Sequence, residues 1–286
     1  MIIVYLQGGL GNQMFQYAFG KHLSLITGRP LLLDASHFGK AIGNETPRSF
    51  QLSQWNITPQ LCNERDLEFL KQKQNPSIFE RILRKINIDK SYYTINDSTA
   101  IDLKAIHNAD LVFLHGYFQN ENYFVENREL IAKEFKPAKP IEFPYSKESN
   151  TVSIHVRRGD YISNAQAAQH HGVCGVDYFF NAIKTIQEKI DQPKFIFFSD
   201  DIEWCKETFS KLSNTLFIEP RVNSLECDDL YWMSQCAHHI ISNSSYSWWG
   251  AWLNNSEEKI VIAPSKWVAS QIEDRNNVVP KNWIQL

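Results

Sequence analysis

From Thr151 onward the chain alternates short apolar runs with longer amphipathic segments, and this alternation is its strongest constraint on the fold. The apolar runs are TVSIHV, KFIFFS, TLFIEP, HHIISN and KIVIAP. One intervening segment, VDYFFNAIKTIQEKI, places apolar residues three or four positions apart on one helical face. They are Val176, Phe179, Phe180, Ile183, Ile186 and Ile190. Strands separated by crossover helices form a parallel sheet, so this half predicts an α/β domain.

The first half opens with the same strand, loop and helix pattern. The run IIVYL precedes the loop QGGLGN and the segment QMFQYAFGKHLSLITG, and Gly28 and Pro30 predict the end of that helix before the strand LLLD. The middle is less regular. It predicts a helix with a break at Pro76, a strand in ADLVFLHGYFQ and a helix over about residues 121–135.

The two halves are separated by a segment with no periodicity. Residues 136–150, KPAKPIEFPYSKESN, are rich in proline and charge, which is typical of a linker. The 286 residues are 43% apolar, enough for a core on each side. We therefore predict two α/β domains, residues 1–140 and 151–286.

Composition and charge exclude several classes of partner. The net charge is −3 and the basic residues form no long run, so the footprint of a nucleic-acid-binding protein is missing. The five cysteines include no C-x-x-C pair, which argues against a disulfide framework or a zinc site and favours a reducing compartment. MIIVYLQGG has neither a basic leader nor about 20 apolar residues, so we expect no signal peptide, no transmembrane segment and a cytoplasmic protein.

Polar motifs follow the predicted strands where each strand ends. HVRRGDY, SDD, EPR and SNSSYS follow successive strands of the second half, and QGGLGNQ follows the first strand of the first half. Ligands of open α/β sheets bind beyond the carboxyl ends of the strands, where helix N-termini present free N–H groups. We therefore expect a cleft lined from both halves, with donors suited to an anionic ligand.

The adjacent arginines of HVRRGDY are the most informative pair. Side chains next to each other on an extended segment point to opposite sides, so one of Arg157 and Arg158 is expected to face the ligand and the other to stabilise the loop, with Asp160 as a partner. The planar guanidinium fork suits a diphosphate. The alternative is that both arginines form structural ion pairs with neighbouring loops.

The other motifs each have a structural alternative. The segment SNSSYSWWG offers hydroxyls and N–H groups to a phosphate, or only a serine N-cap, and its tryptophans favour core packing. QGGLGNQ is a weak phosphate-loop signal, because its glycines also fit a tight turn. Asp200 and Asp201 are too few for a magnesium site; Asp201 is placed to cap a helix, and a carboxylate here also suits the N–H edge of a purine.

Four motifs together resemble a known family. GGLGNQMFQYA, HVRRGDY, FSDD and ISNSSYSWWGAWL, in this order and spacing, resemble the bacterial α-1,2-fucosyltransferases of glycosyltransferase family 11 over nearly the whole chain. The arginine loop and the Gly-x-x-Gly-Asn-Gln element give a looser likeness to α-1,6- and protein O-fucosyltransferases.

The resemblance implies an α/β fold of GT-B type, with two Rossmann-like domains facing a central cleft. Residues 1–140 would form the acceptor side and residues 151–286 would bind GDP-β-L-fucose as a co-substrate. The reaction would invert the anomeric carbon, need no cofactor or metal, and attach fucose to the 2-hydroxyl of a terminal β-galactose. The acceptor would be an oligosaccharide or a lipid-linked glycan, as in O-antigen synthesis, with at most peripheral membrane contact.

The resemblance also implies residue roles. Arg157 would bind the β-phosphate, His155 and Asp200 would recognise guanine, and Asn12 would face the sugar. Other positions in the same motifs are expected to contribute to substrate binding: Gly9, Gly11, Gln13, Arg158, Asp201, Asn243, Ser244, Ser245 and Tyr246. Ser244, Ser245 and Tyr246 would complete the phosphate cradle.

The general base is less defined. Asp160 is the acid nearest the arginine loop and is our candidate, although stabilising Arg158 is an equal alternative for it. A third alternative is a dissociative mechanism that needs little help from a base.

Competing functions remain at this stage. A nicotinamide-dependent oxidoreductase is disfavoured, because QGGLGNQ lacks the dinucleotide fingerprint. A fucosyltransferase of another linkage, a transferase of another GDP-sugar, and a non-catalytic binder of sugar nucleotides or glycans stay open.

Overall fold

The computed structural model describes residues 1–39, 47–78, 91–143, 148–159, 174–267 and 278–286. The chain divides into two compact units, Met1–Glu134 and Phe135–Leu286. Each unit contains one parallel sheet with helices.

Unit one has a four-stranded sheet in the order β2-β1-β4-β3, with all pairs parallel. Its strands are β1 (Ile2–Tyr5), β2 (Leu31–Asp34), β3 (Tyr92–Ile95) and β4 (Leu111–Leu114). Its helices are α1 (Leu10–Thr27), α2 (Glu64–Gln74), α3 (Leu103–Asn108) and α4 (Arg128–Glu134). The strand order reverses between β1 and β4, so a switch point lies at their carboxyl ends.

Local signals set the helix ends of unit one. Gly28 adopts a left-handed φ of 67° and ends α1, which confirms the prediction. Helix α2 begins at a capping box between Asn63 and Asp66 and ends at Asn75, next to the predicted break. The rest of that predicted helix, residues 79–90, lies outside the described residues.

The helix predicted over residues 121–135 is shorter than expected. Regular α-helix covers only Arg128–Glu134, and two 3₁₀ turns, Glu121–Tyr123 and Val125–Asn127, precede it. Phe124 interrupts the segment with φ −151° and ψ 3°, so its backbone is not helical.

Unit two has a six-stranded parallel sheet in the order β10-β9-β8-β5-β6-β7. Its strands are β5 (Thr151–Val156), β6 (Lys194–Ser199), β7 (Thr215–Phe217), β8 (His238–Ile240), β9 (Val261–Ala263) and β10 (Ile284–Gln285). Its helices are α5 (Val176–Gln187), α6 (Ile202–Thr208), α7 (Glu226–Gln235) and α8 (Ser245–Trp252). The chain runs from β5 outward to β7 and returns at β8, so the switch point lies between β5 and β8.

The apolar face of α5 is narrower than the sequence pattern predicts. Phe179, Ile183 and Ile186 are at most 2% exposed, but Val176 and Phe180 are 37% and 45% exposed. Phe180 follows Phe179 directly and therefore points about 100° away from it around the helix. The buried part of the predicted apolar face is therefore formed by Phe179, Ile183 and Ile186.

Residues 135–143, which include the start of the predicted linker, pack against the rest of unit two. The Phe135 ring lies 5.1 Å from that of Trp249, and the carbonyl of Glu142 accepts a hydrogen bond from Trp232 Nε1 at 3.0 Å. Phe143 contacts the same Trp232 ring edge-on. Residues 135–143 therefore belong structurally to unit two.

The tryptophans of α8 form part of the core, as predicted. Trp248, Trp249 and Trp252 are each at most 1% exposed. No helix in the described ranges is long and apolar enough to cross a membrane.

Candidate functional site

The switch point of unit two brings the arginine loop and the serine-rich loop side by side. Strand β5 pairs with β6 on one side and with β8 on the other. The arginine loop follows β5, the two aspartates follow β6 and the serine-rich loop follows β8. Three of the predicted motifs therefore meet at one sheet edge, where α/β proteins bind ligands.

Arg157 forms an ion pair at this edge with Asp200. Its Nη1 lies 2.9 Å from Asp200 Oδ2, and the two side chains are 25% and 26% exposed. The other carboxylate oxygen, Oδ1, accepts the backbone N–H of Arg158 at 2.9 Å. Asp200 is thus bonded to the arginine loop through both oxygens, while the Arg157 side chain stays partly exposed.

Arg158 stabilises the loop, as one of the two arginines was expected to do. Its Nε lies 3.1 Å from Asp201 Oδ2, and its guanidinium carbon lies 3.8 Å from the centre of the Trp204 ring. Asp201 Oδ1 also accepts the backbone N–H of Trp204 and caps α6, as predicted. The expected partner of Arg158, Asp160, lies outside the described residues, so its proposed roles are not addressed by the geometry.

Ser199 joins the ends of β5 and β6. Its hydroxyl donates to the carbonyl of Val156 and accepts the backbone N–H of Asp201, both at 2.9 Å. The sequence analysis did not predict this role for Ser199. The available signal was its position directly before the two aspartates.

His155 is buried behind the arginine loop. It is 5% exposed, its Nδ1 lies 3.1 Å from Ser242 Oγ, and its ring lies 5.4 Å from that of Tyr246. Burial lowers the pKa of His155 to about 4, although the charge of Asp200 opposes this effect. The imidazole is therefore neutral near pH 7 and acts as a hydrogen-bonding group rather than a cation.

The serine-rich loop contains a helix cap, which was the structural alternative. Ser244 Oγ accepts the backbone N–H of Tyr246 at 3.3 Å and caps α8. Tyr246 donates its hydroxyl proton to the carbonyl of Glu226. Asn243 is 5% exposed, and its amide donates to the carbonyl of Trp267 at 3.4 Å. Ser245, at the first position of α8, is half-buried and is the more accessible of the two predicted cradle serines.

Arg221, Asp229 and Trp232 form a second cluster at the carboxyl ends of the strands, and the sequence analysis did not single it out. Arg221, which follows β7, forms an ion pair with Asp229 at 2.5 Å and lies 3.5 Å above the Trp232 ring. Burial raises the pKa of Asp229, and the charge of Arg221 opposes this. The motif EPR at a strand end was the signal for Arg221. The partners of Arg221, Asp229 and Trp232, lie in α7, and no local sequence pattern connects α7 to this motif.

In unit one, the glycine loop is held by a buried glutamine. Gln13 is fully buried; its Nε2 donates to the carbonyls of Gly8 and Ser49, and its Oε1 accepts the N–H of Gln51, at 2.9 to 3.0 Å. Gly11 is buried as well. Gln13 therefore holds the glycine loop in place. Its side-chain hydrogen bonds are made within the protein, which argues against the predicted contact with substrate.

Gly8 and Asn12 lie directly against each other. Gly8 has φ 77°, and a Cβ at this position would lie 2.5 Å from Asn12 Nδ2. Gly9, which precedes α1, has extended backbone, and a Cβ there would lie 4.0 Å from Arg48 Nε. Gly8 is thus needed both for its left-handed backbone and for the space that Asn12 occupies, whereas a Cβ at Gly9 would make only an ordinary contact.

Asn12 is oriented by a glutamine that the sequence did not indicate. Its Oδ1 accepts a hydrogen bond from Gln119 Nε2 at 2.8 Å. The turn before Gln119 is fixed by Asp97, whose carboxylate accepts the N–H groups of Tyr117 and Phe118 at 2.9 and 2.6 Å. Gln119 therefore fixes the Asn12 amide at the start of α1, with Asn12 Nδ2 lying against Gly8.

Within the described ranges, no group of three or more His, Cys, Asp or Glu side chains is arranged to hold a metal ion. Metal independence stays a prediction that activity measurements must test.

The sequence profile of glycosyl transferase family 11 matches residues 1–286. The chain belongs to this family. It is 34% identical over 305 residues to an α-1,2-colitosyltransferase of Escherichia coli, covering 100% of this chain and 99% of the relative. It is also 34% identical over 312 residues to the O-antigen biosynthesis glycosyltransferase WbnK of Escherichia coli, covering 98% and 99%.

Solved structures share the fold of this family 11 member. The NodZ α-1,6-fucosyltransferase of Bradyrhizobium matches 88% of this chain and 91% of its own, with a TM-score of 0.50 and 16% identity. FUT1 of Arabidopsis thaliana matches 91% and 69%, with a TM-score of 0.53 and 12% identity. The chain is thus a glycosyltransferase with an α/β fold of GT-B type, built from two Rossmann-like units with parallel sheets.

Proposed function

We propose that this family 11 glycosyltransferase transfers L-fucose from GDP-β-L-fucose to the 2-hydroxyl of a terminal β-galactose, with inversion at the anomeric carbon. The family and the α-1,2 linkage in the name of a 34% identical full-length relative support the reaction class. The proposed binding of the donor rests on one observation: the partly exposed side chain of Arg157 lies at the switch point of the second sheet.

Arg157 would bind the β-phosphate and stabilise the leaving group. Breaking a sugar–phosphate bond leaves negative charge on the diphosphate, and a fixed cation stabilises this charge more as it grows. The Ser245 hydroxyl and the positive end of the α8 dipole would add to the binding of the phosphates. An arginine in this position supplies the charge that a metal ion supplies in other transferases.

His155 is the proposed contact for guanine. Because its pKa is lowered to about 4 by burial, the ring is neutral and uses its hydrogen-bonding capacity without repelling or attracting the base by charge. Ser242 fixes the ring through Nδ1.

Asn12 is the proposed sugar contact on the acceptor side. Gln119 holds the Asn12 amide at the start of α1, and the Asn12 N–H groups are the donors that we propose for hydroxyl oxygens of the sugar. Asp160 remains the proposed base, and a dissociative mechanism with little base assistance remains the alternative.

A second donor is favoured by a specific observation. The 34% identical relative of nearly equal length is a colitosyltransferase, and colitose is L-fucose without the 3-hydroxyl. Transfer of colitose would use the same phosphate contacts and differ only where the sugar ring is bound.

The acceptor is proposed to be an oligosaccharide or a lipid-linked glycan. The relative named for O-antigen biosynthesis supports this class of acceptor. We place the reaction in the cytoplasm, with at most peripheral contact at the inner face of the membrane.

The deciding experiment is incubation with GDP-fucose or GDP-colitose and a panel of galactosides, with the linkage assigned by NMR. An α-1,2-linked fucose on galactose is the expected product. A colitose product would select the second donor, and a different linkage would refute the acceptor assignment. Binding of GDP with neither transfer nor hydrolysis would identify a non-catalytic binder.

A further inference from the structure

We propose that Asp200 is a positioning residue for Arg157, and that Gly159 is a glycine because it leaves room for the Asp200 carboxylate. This assignment replaces the guanine-recognition role expected for Asp200 from the family resemblance. It rests on the proposed function, because it requires a nucleoside diphosphate as the ligand that Arg157 binds.

The first argument is that both oxygens of Asp200 already bond to the arginine loop. Oδ2 pairs with Arg157 Nη1 and Oδ1 accepts the N–H of Arg158, both at 2.9 Å. Recognition of guanine by a carboxylate uses both oxygens side by side for two N–H groups of the base. The observed bonds direct these oxygens towards the loop, so they orient the guanidinium.

The second argument is the space around Gly159. A Cβ at this position would lie 2.9 Å from Asp200 Oδ2 and 3.2 Å from its Cγ. Real Cβ atoms do not approach so closely, so any side chain at position 159 would push away the oxygen that pairs with Arg157. The glycine therefore preserves the ion pair.

The third argument is the attachment of Asp200 to the scaffold. Ser199, the residue before it, is bonded to the end of β5, and Asp201, the residue after it, caps α6. Asp200 is held between two fixed residues, and a residue so constrained can hold a flexible arginine in one orientation. A pre-oriented guanidinium loses less side-chain entropy when the diphosphate binds.

The two roles of Asp200 predict different ligand preferences. A residue that recognises guanine makes the protein distinguish GDP from IDP, which lacks the 2-amino group. A residue that positions Arg157 makes the protein distinguish GDP from GMP, because only GDP carries the β-phosphate. General loss of structure would weaken all three nucleotides together.

Calorimetric titration of GDP, GMP and IDP therefore tests the proposal on the full chain. We expect Asp200→Ala and Gly159→Ala each to reduce the GDP-over-GMP preference about tenfold or more, since a hydrogen bond to a charged group contributes this much. The affinity for GMP and the GDP-over-IDP ratio should stay within about twofold. Gly175→Ala is the matched control, since a Cβ there meets nothing within 4 Å.

A double-mutant cycle gives a second readout. If Asp200 acts through Arg157, adding Asp200→Ala to Arg157→Ala should cause no further loss of GDP affinity. Additive losses of GDP affinity in the double mutant would overturn the proposal. A lower GDP-over-IDP ratio together with an unchanged GDP-over-GMP ratio would overturn it as well. If Asp200→Ala does not fold by circular dichroism, Gly159→Ala decides alone.

The same titration separates this inference from the proposed function. Failure of the wild-type chain to bind GDP would overturn both. Binding of GDP by the wild type with unchanged GDP-over-GMP ratios in both variants would overturn only the role of Asp200 and Gly159.

Discussion

The amide oxygen of Asn12 accepts a hydrogen bond from Gln119 Nε2 at 2.8 Å, across 107 positions of sequence. This bond fixes the orientation of the Asn12 amide group at the start of α1. We expect Gln119→Ala to lower the transfer rate about fivefold, because a single hydrogen bond of this kind contributes about 1 kcal/mol.

Kinetics with varied acceptor at saturating donor measure this effect. The matched control is Gln72→Ala on the exposed surface of α2, which should leave the rate unchanged. Equal rates for the Gln119 variant and the wild type would show that the orientation of Asn12 is irrelevant to transfer.

Gly8→Ala should destabilise the protein more than a left-handed glycine alone explains. Gly8 and Gly39 have nearly the same φ, 77° and 79°, but only at Gly8 would a Cβ meet another residue, Asn12 at 2.5 Å. We expect the Gly39→Ala control to lose about 1 kcal/mol from backbone strain and Gly8→Ala about 1–3 kcal/mol more from the clash.

Urea unfolding of both variants gives the two free energies of unfolding. Equal losses would mean that Asn12 moves aside at no cost, and the close packing of the glycine loop would then carry no functional constraint.

Arg157→Ala should reduce transfer by about two to three orders of magnitude, because it removes a charged donor to the leaving group. The variant should remain folded, because Asp200 keeps its hydrogen bond to the backbone N–H of Arg158 when the Arg157 side chain is removed. Arg65→Ala, on the exposed surface of α2, is the control for loss of a positive charge. Normal turnover by the Arg157 variant would remove this residue from the reaction.

Stability should fall in mild acid because of buried histidines. Burial lowers the pKa of His239 well below its usual value, and Ser153 and Asn254 lie 2.8 and 2.9 Å from its two ring nitrogens. Burial also lowers the pKa of His155 to about 4. The unfolded chain therefore binds protons at these positions below about pH 6.5 while the folded chain does not, so folding becomes less favourable as the pH falls.

The free energy of unfolding, followed from pH 7.5 to 5, should thus decline with a slope of up to about 1.4 kcal/mol per pH unit for each buried histidine. A stability that is flat over this interval would show that the imidazoles protonate without unfolding the protein.

Activity should survive a chelator. The proposed mechanism assigns the charge of the leaving diphosphate to Arg157, so EDTA is expected to leave the transfer rate within about twofold of its starting value. The measurement is transfer before and after exhaustive chelation, followed by addition of magnesium. A loss that magnesium restores would make Asp200 and Asp201 candidates for metal ligands.

Local signals in the sequence predicted the parts of the structure that depend on neighbours along the chain. Asp201 precedes a helical pattern and caps α6, and Gly28 follows one and ends α1. The parallel sheet of unit two follows from alternating apolar runs, since only a few topologies accommodate strands joined by helices. These features need no knowledge of distant contacts.

Contacts between distant positions were not predictable in the same way. The choice of Asp200 for Arg157 and of Asp201 for Arg158 depends on the register of β5 against β6, which pairs His155 with Phe198. The Gln119–Asn12 bond depends on a left-handed turn at Phe118 with φ 51°, a conformation that its sequence does not favour. Asp97 stabilises that turn from another strand end.

The packing of residues 135–143 on the second unit bears on how members of this family can be recombined. A chimaera joined at Thr151, where the first strand of that unit begins, would replace Phe135 and Phe143 and strip the aromatic cover from Trp249 and Trp232. A junction at Glu134 keeps each indole with its own partner. Exchange of the second unit between relatives should therefore yield stably folded hybrids only when the crossover precedes Phe135.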